Sequence, residues 1–235
     1  MPLATFTLDR PGATMPVWHR EGDGTQWILL LHGSGVDHRS MEVLLEGLPA
    51  SADVLLPDLR GQGDSVLTPD GHATFEEIVA DCVALLDHVG AGSVTIIGHS
   101  YGSHLTQELG WLLPERVDRM VLIGCHDQHR RRTWGERMRR ALTARVQGHP
   151  RRGREVFSEF EQSRLRAMHP VDGYDQPILL IAGAREYSRT LDRRYASIAR
   201  RTHAVGIQVV EDAGHMCPQE QPAEVNEAIA EFLAR

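Results

Sequence analysis

Gly98-His99-Ser100-Tyr101-Gly102 sets a serine between two glycines, directly after the apolar run Ser93 to Ile97 and before the helical stretch Ser103 to Leu113. A strand-to-helix turn that sharp drives its central residue toward strained backbone angles and its side chain into the open. Only small neighbours let the strand and helix pack so closely. Ser100 is therefore a candidate nucleophile. A serine hydroxyl needs a base to take its proton, and His215 offers one in the loop Glu211-Asp212-Ala213-Gly214-His215, which follows a strand-like run. Upstream, the run Trp27 to Leu31 leads into His32-Gly33-Ser34-Gly35, a glycine-rich loop whose backbone N–H groups can face a developing oxyanion. These three segments suit attack on a carbonyl carbon.

Such groups must be positioned by a framework, and the hydrophobic pattern supplies one. Ala4 to Leu8 and Ala13 to His19 alternate as an antiparallel hairpin turned by Asp9-Arg10-Pro11-Gly12, expected at one sheet edge. Apolar runs at Trp27 to Leu31, Asp53 to Pro57, Ser93 to Ile97, Met120 to Ile123, Ile178 to Ala182 and Ile207 to Val210 then alternate with helical stretches. That is the pattern of a parallel sheet with crossover helices. In the helix predicted from Thr74 to Val89, Phe75, Ile78, Val79, Cys82, Val83, Leu86 and Val89 recur at three- and four-residue steps, so one stripe faces the sheet.

The chain has 235 residues, of which 41% are hydrophobic, enough to bury a core as one α/β domain over 1–235. Met1 to Phe6 lacks a basic and then apolar leader, and no run approaches the ~18 apolar residues that span a bilayer, so a cytoplasmic protein with no membrane partner is expected. Cys82, Cys125 and Cys217 form neither an even disulfide framework nor a metal cluster and are read as inert thiols. The thirteen histidines include no convincing ligand spacing, so neither metal nor cofactor is expected. His99 and His104 beside the elbow are assigned structural roles.

The net charge of −7 speaks against nucleic acid as a partner. It is unevenly spread: residues 126–175 hold twelve arginines and seven acids, a balance of +5, while the remainder carries −12. A solvated helical face explains such a run, and an anion-binding role is the alternative reading.

In its motifs the chain resembles the α/β-hydrolase superfamily along nearly its whole length. His32-Gly33, the loop Asp58-Leu59-Arg60-Gly61-Gln62-Gly63-Asp64-Ser65, the elbow at Ser100 and Gly214-His215-Met216 before a final helix stand in that family's order. The resemblance implies an α/β-hydrolase fold with a mostly parallel sheet of about eight strands, helices on both faces and a short helical cap at 126–175. It implies a serine–histidine–acid triad working through an acyl-enzyme. The oxyanion would be held by the N–H groups of Tyr101 and Ser34, and Gly33 and Trp134 would face the substrate. Asp58, Arg60 and Asp64 match a structural loop. For the acid, Glu186 stands three residues after Gly183, where relatives commonly have aspartate, and Asp127, after Ile123-Gly124-Cys125-His126, is the alternative. The expected reaction is hydrolysis of an ester, thioester or lactone of a small to mid-sized acyl compound, with an anionic or carrier-bound substrate conceivable. Acyl transfer, cyclisation, dehydration or C–C cleavage by the same triad, and a binding-only relative, are the alternatives.

Overall fold

Successive side chains of a strand point to opposite faces of its sheet. The parallel runs of this chain are apolar at nearly every position, so both faces must be covered. The computed structural model describes residues 3–125, 163, 174–186, 195, 196, 199 and 204–235. Its strands are β1 (Ala4–Arg10), β2 (Ala13–Arg20), β3 (Trp27–Leu31), β4 (Asp53–Pro57), β5 (Val66–Leu67), β6 (Val94–His99), β7 (Val117–Ile123), β8 (Ile178–Gly183) and β9 (Ala204–Val210). They form one sheet in the order β1-β2-β4-β3-β6-β7-β8-β9, with β5 paired to β2. The hairpin β1–β2 lies at one edge, and β2 meets β4 antiparallel. From β4 across β3 and β6 to β9 every pairing is parallel.

The two faces build two cores. On one, Leu29, Leu31, Ile96, Met120, Leu122 and Leu180 pack with helices α2 (Phe75–His88) and α3 (Tyr101–Leu112). On the other, Ile28, Leu30, Ile97, Val121, Ile123 and Ile181 pack with Met41 of the short α1 (Arg39–Glu42) and with Val225, Ile229 and Phe232 of the last helix (Pro222–Leu233). Alternate residues of one strand thus serve different cores, the reason these strands read as unbroken apolar runs.

Helix α2 starts where Thr74 and Glu77 cap each other: the Glu77 N–H donates to Thr74 Oγ1, and the Thr74 N–H donates to Glu77 Oε2 at 2.9 Å. Its buried Asp81 receives Arg60 Nε at 2.7 Å, Arg60 Nη2 at 2.8 Å and Arg10 Nε at 3.0 Å. The hairpin, the loop after β4 and α2 are thereby fixed to one carboxylate. Arg60 serves this architecture, as its motif implied. Cys82 is buried in the α2–α3 core, where desolvation pushes its thiol up.

Among the described residues the sheet has nine strands where about eight were expected, the ninth being β5, whose two residues are too short to show a period. The insert 126–175 lies outside the described residues except for Ser163, Tyr174 and Asp175. Among the described residues, no helix is long and apolar enough to cross a membrane. No group of three or more His, Cys, Asp or Glu among them is placed to hold a metal ion.

Candidate active site

Parallel strands deliver their following loops to one edge of the sheet, and the chemistry-bearing residues follow β3, β6, β8 and β9 there. Because β3 lies beside β6, the glycine-rich loop meets the serine turn; because β8 lies beside β9, Glu186 meets His215.

Ser100 adopts φ 55 and ψ −107, a left-handed conformation that costs a non-glycine residue about 1–3 kcal/mol. Its surroundings hold it there. The Ser100 N–H donates to the Ile123 carbonyl at 2.8 Å, and the Ser103 hydroxyl lies 2.9 Å from the Gly98 carbonyl and 2.8 Å from that of Ile123. A Cβ on Gly98 would stand 2.3 Å from the Gly102 backbone, and one on Gly102 would stand 2.0 Å from the Leu31 carbonyl oxygen. The two glycines are thus required by close approach. Tyr101 opens α3, so its N–H lies at the helix's positive end, beside Ser100.

His215 Nε2 lies 2.8 Å from Ser100 Oγ, and its Nδ1 lies 2.9 and 3.0 Å from the two Glu186 oxygens. A carboxylate only accepts, so Nδ1 carries the proton and Nε2 presents a lone pair to the serine hydroxyl. The histidine side chain is 36% exposed and the glutamate 19%, so the carboxylate is the more sheltered partner. Strands β7 and β8 lie between the serine strand β6 and the histidine strand β9, and the ring reaches across the end of β7. Gly124 permits this, with φ +59 and a position at which a Cβ would come within 3.1 Å of His215 Cε1.

The histidine loop is pinned along its length. His99 donates Nε2–H to the His215 carbonyl at 2.8 Å. The Gly214 N–H reaches Glu220 Oε2 at 3.1 Å, and Arg185 pairs with Glu220 while also donating to the Asp212 carbonyl at 2.8 Å. Cys217 sits two residues beyond His215, and its thiol is pushed up to about 12, first by burial and then by the neighbouring Glu186 charge. It keeps its proton at neutral pH and does not compete as a nucleophile. Cys125 is buried and accepts a hydrogen bond from Gln107 Nε2 at 3.1 Å.

The glycine-rich loop lies against the nucleophile, with a Cβ on Gly33 falling 3.4 Å from Ser100 Cβ. The Leu59 N–H donates to His32 Nε2 at 3.0 Å, so the proton of this buried imidazole is on Nδ1, which donates to the Gly33 carbonyl at 2.7 Å. Burial pushes the His32 pKa down, against the smaller upward pull of that carbonyl and of Asp58. A trans peptide sends its N–H opposite to its C=O. Fixing the Gly33 carbonyl on His32 therefore fixes the direction of the Ser34 N–H.

The structure thus brings Ser100, His215, Glu186, Gly33, Ser34 and Tyr101 to one place. Asp127 and Trp134 lie outside the described residues. Sequence reasoning missed Gly124 and His99 as parts of the site. The glycine after β7 was a readable signal for the first, whereas nothing in the chain announced which loop His99 would reach.

A nine-stranded, largely parallel sheet with a serine elbow at the end of β6 and a histidine after β9 defines the α/β-hydrolase class. The sequence profile of the alpha/beta hydrolase family matches residues 28–228, and the chain belongs to that family. Among curated proteins, it is 32% identical over 128 residues to the magnesium-chelatase 30 kDa subunit of Rhodobacter capsulatus, covering 54% of this chain and 41% of that protein. It is 33% identical over 108 residues to 2-hydroxymuconate semialdehyde hydrolase of Pseudomonas putida, covering 45% and 38% respectively. Each match spans less than half of the relative's length. Among solved structures, an epoxide hydrolase of Vigna radiata superposes with a TM-score of 0.77 at 19% identity, covering 99% of this chain and 98% of the other. That likeness is one of fold.

Proposed function

We propose that this protein is a serine hydrolase acting on an ester, thioester or lactone bond of a small to mid-sized acyl substrate. The observation that carries the reading is the unbroken line Ser100 Oγ to His215 Nε2 at 2.8 Å and His215 Nδ1 to Glu186 at 2.9 Å. His215 takes the serine proton as Oγ attacks the carbonyl carbon. The tetrahedral intermediate then collapses to an acyl-serine as His215 protonates the leaving group. Water, deprotonated by the same nitrogen, releases the acid. The N–H groups of Tyr101 and Ser34 hold the oxyanion, each worth on the order of 3 kcal/mol of barrier. Glu186 keeps the imidazole in the required tautomer and balances its charge when protonated.

Several structural neighbours are epoxide hydrolases, but the serine speaks against that chemistry here. Serine attack on an epoxide carbon gives an alkyl ether, which has no carbonyl for water to attack, and the enzyme would stop after one turnover. C–C hydrolysis by the same triad is the second reading, favoured by the likeness to 2-hydroxymuconate semialdehyde hydrolase. The test is a panel of ester, thioester, lactone and vinylogous diketone substrates, run with wild type and Ser100→Ala. Expected are turnover of an ester-type member, an acyl adduct on Ser100 by intact mass, and loss of at least about 10³-fold in Ser100→Ala. Turnover surviving in Ser100→Ala overturns the mechanism. Exclusive turnover of the diketone installs the second reading, and failure of a fluorophosphonate probe to label Ser100 leaves a binding-only protein.

A further inference from the structure

Residues 32–38 are clamped to the loop after β4 at three places. The Leu59 N–H donates to His32 Nε2 at 3.0 Å. The Gly35 N–H donates to Gln62 Oε1 at 2.7 Å. The His38 N–H and Nδ1–H both donate to Asp58 Oδ1, at 2.9 and 2.8 Å, while the His38 ring stacks on Trp18. The second loop is itself tightly closed. The Asp64 N–H donates to Asp58 Oδ2 at 2.6 Å, the Ser65 hydroxyl to the Asp58 carbonyl at 2.6 Å, and the Gln62 N–H to the Leu59 carbonyl at 2.8 Å.

The outer two clamps bracket the loop, and the middle one falls where chemistry needs it. Ser34 is flanked by two peptides. The Gly33–Ser34 peptide carries the N–H that the proposed mechanism assigns to the oxyanion, and His32 holds this peptide through its carbonyl. The Ser34–Gly35 peptide is held through its N–H by Gln62. Gly35 has φ +78, a conformation glycine enters and leaves easily, so nothing in its own backbone preference stops this peptide from turning. Without that bond the peptide can turn about ψ of Ser34 and φ of Gly35, so the Ser34 Cα, whose N–H direction His32 sets from the other side, loses its second brace and can drift relative to Ser100.

We propose that Gln62 is a positioning residue for the oxyanion site, acting through Gly35 to hold the Ser34 N–H in register with Ser100. It touches no reacting atom. The effect is specific to the stage at which negative charge has formed on the substrate oxygen, because a neutral ground-state carbonyl gains far less from that donor. The inference rests on the serine-hydrolase reading above.

The test pairs Gln62→Met and Gln62→Leu, which keep bulk and remove the acceptor, with steady-state kinetics on an ester turned over by the wild type. An aryl trifluoromethyl ketone serves as the charged mimic. Ser100 Oγ adds to its carbonyl carbon, the C=O π pair moves onto oxygen, and the serine proton passes to His215. Expected in both variants is a kcat about ten-fold lower, a KM within about two-fold of wild type, and ketone inhibition weakened in parallel with kcat. Gln62 is only half-buried and outside both cores, so an unchanged urea midpoint is expected as well. Wild-type kcat and ketone affinity in either variant overturns the proposal. So does a fall in kcat with ketone affinity unchanged, which would assign Gln62 a general structural role. If Ser100→Ala stays active in the same assay, the mechanism fails instead, so the two failures are told apart.

Discussion

Glu186 meets His215 with one methylene more than the aspartate that relatives commonly place there, and the turn absorbs the extra length. Its N–H donates to the Gly183 carbonyl at 3.0 Å, the Arg185 N–H donates to the Ala213 carbonyl at 2.8 Å, and both carboxylate oxygens come within 3.0 Å of Nδ1. An amide in this position can still accept from Nδ1–H, but it cannot balance the imidazolium, and flipped it donates and selects the wrong tautomer. Glu186→Gln is expected to lower kcat by roughly 10²–10⁴ with little change in KM, while Asp127→Asn retains wild-type turnover. Steady-state rates of the two variants side by side check this, and the reverse pattern would hand the acid's role to Asp127. Ser100 and His215 were legible in the sequence because their chemistry is written in residue type and in position after a strand, whereas the acid stayed open between Glu186 and Asp127, two carboxylates that each follow a strand. Gly124 leaves room for the His215 ring, while His99 and Gln62 act through backbone of other loops, and only the strand order reveals which loops those are.

The same division holds for the elements. The apolar strands and α2 were readable because burial on both faces, or on one stripe, leaves a periodic mark. Thr74 and Val89, the predicted ends of α2, are its capping residues, one position outside the helix at each end. Strand β6 runs to His99, two residues beyond its apolar run, because Gly98 and His99 pair with Leu122 and Ile123 on β7. That extension brings the strand directly into the strained serine. Strand β5 and the short α1 left no mark at all. At Gly102 α3 closes on β3, and a Cβ there would meet the Leu31 carbonyl carbon at 2.6 Å as well as its oxygen at 2.0 Å. Both atoms are backbone and neither can swing aside, so Gly102→Ala must push α3 off the sheet and move Tyr101 and Ser100 with it. Urea denaturation is expected to show a loss of about 1–3 kcal/mol or more, accompanied by lower kcat. A variant within about 0.5 kcal/mol of wild type and fully active would show that the elbow tolerates looser packing.

At the scale of the whole chain the charge is divided. Residues 126–175 carry +5 and the rest carries −12, and the sequence holds no lysine, so every basic side chain is an arginine. A guanidinium fork pairs with carboxylate or phosphate in a way an ammonium does not. A charged substrate is drawn in by the arginines, repelled by the net negative charge, or indifferent to their near-cancellation. Ionic strength separates these outcomes, because salt weakens whichever field governs the encounter. If the arginines draw the substrate in, kcat/KM for an anionic ester falls roughly two- to five-fold as salt is raised from about 0.01 to 0.15 M, while that for a neutral ester of the same acyl group stays flat. If the net charge of −7 dominates instead, the anionic ester speeds up with salt, and the arginine run is a solvated face. Parallel responses of the two esters would remove electrostatic selection from this protein altogether. The expectation is the second result, since a run of like charge is ordinarily a solvated face and the chain as a whole carries −7.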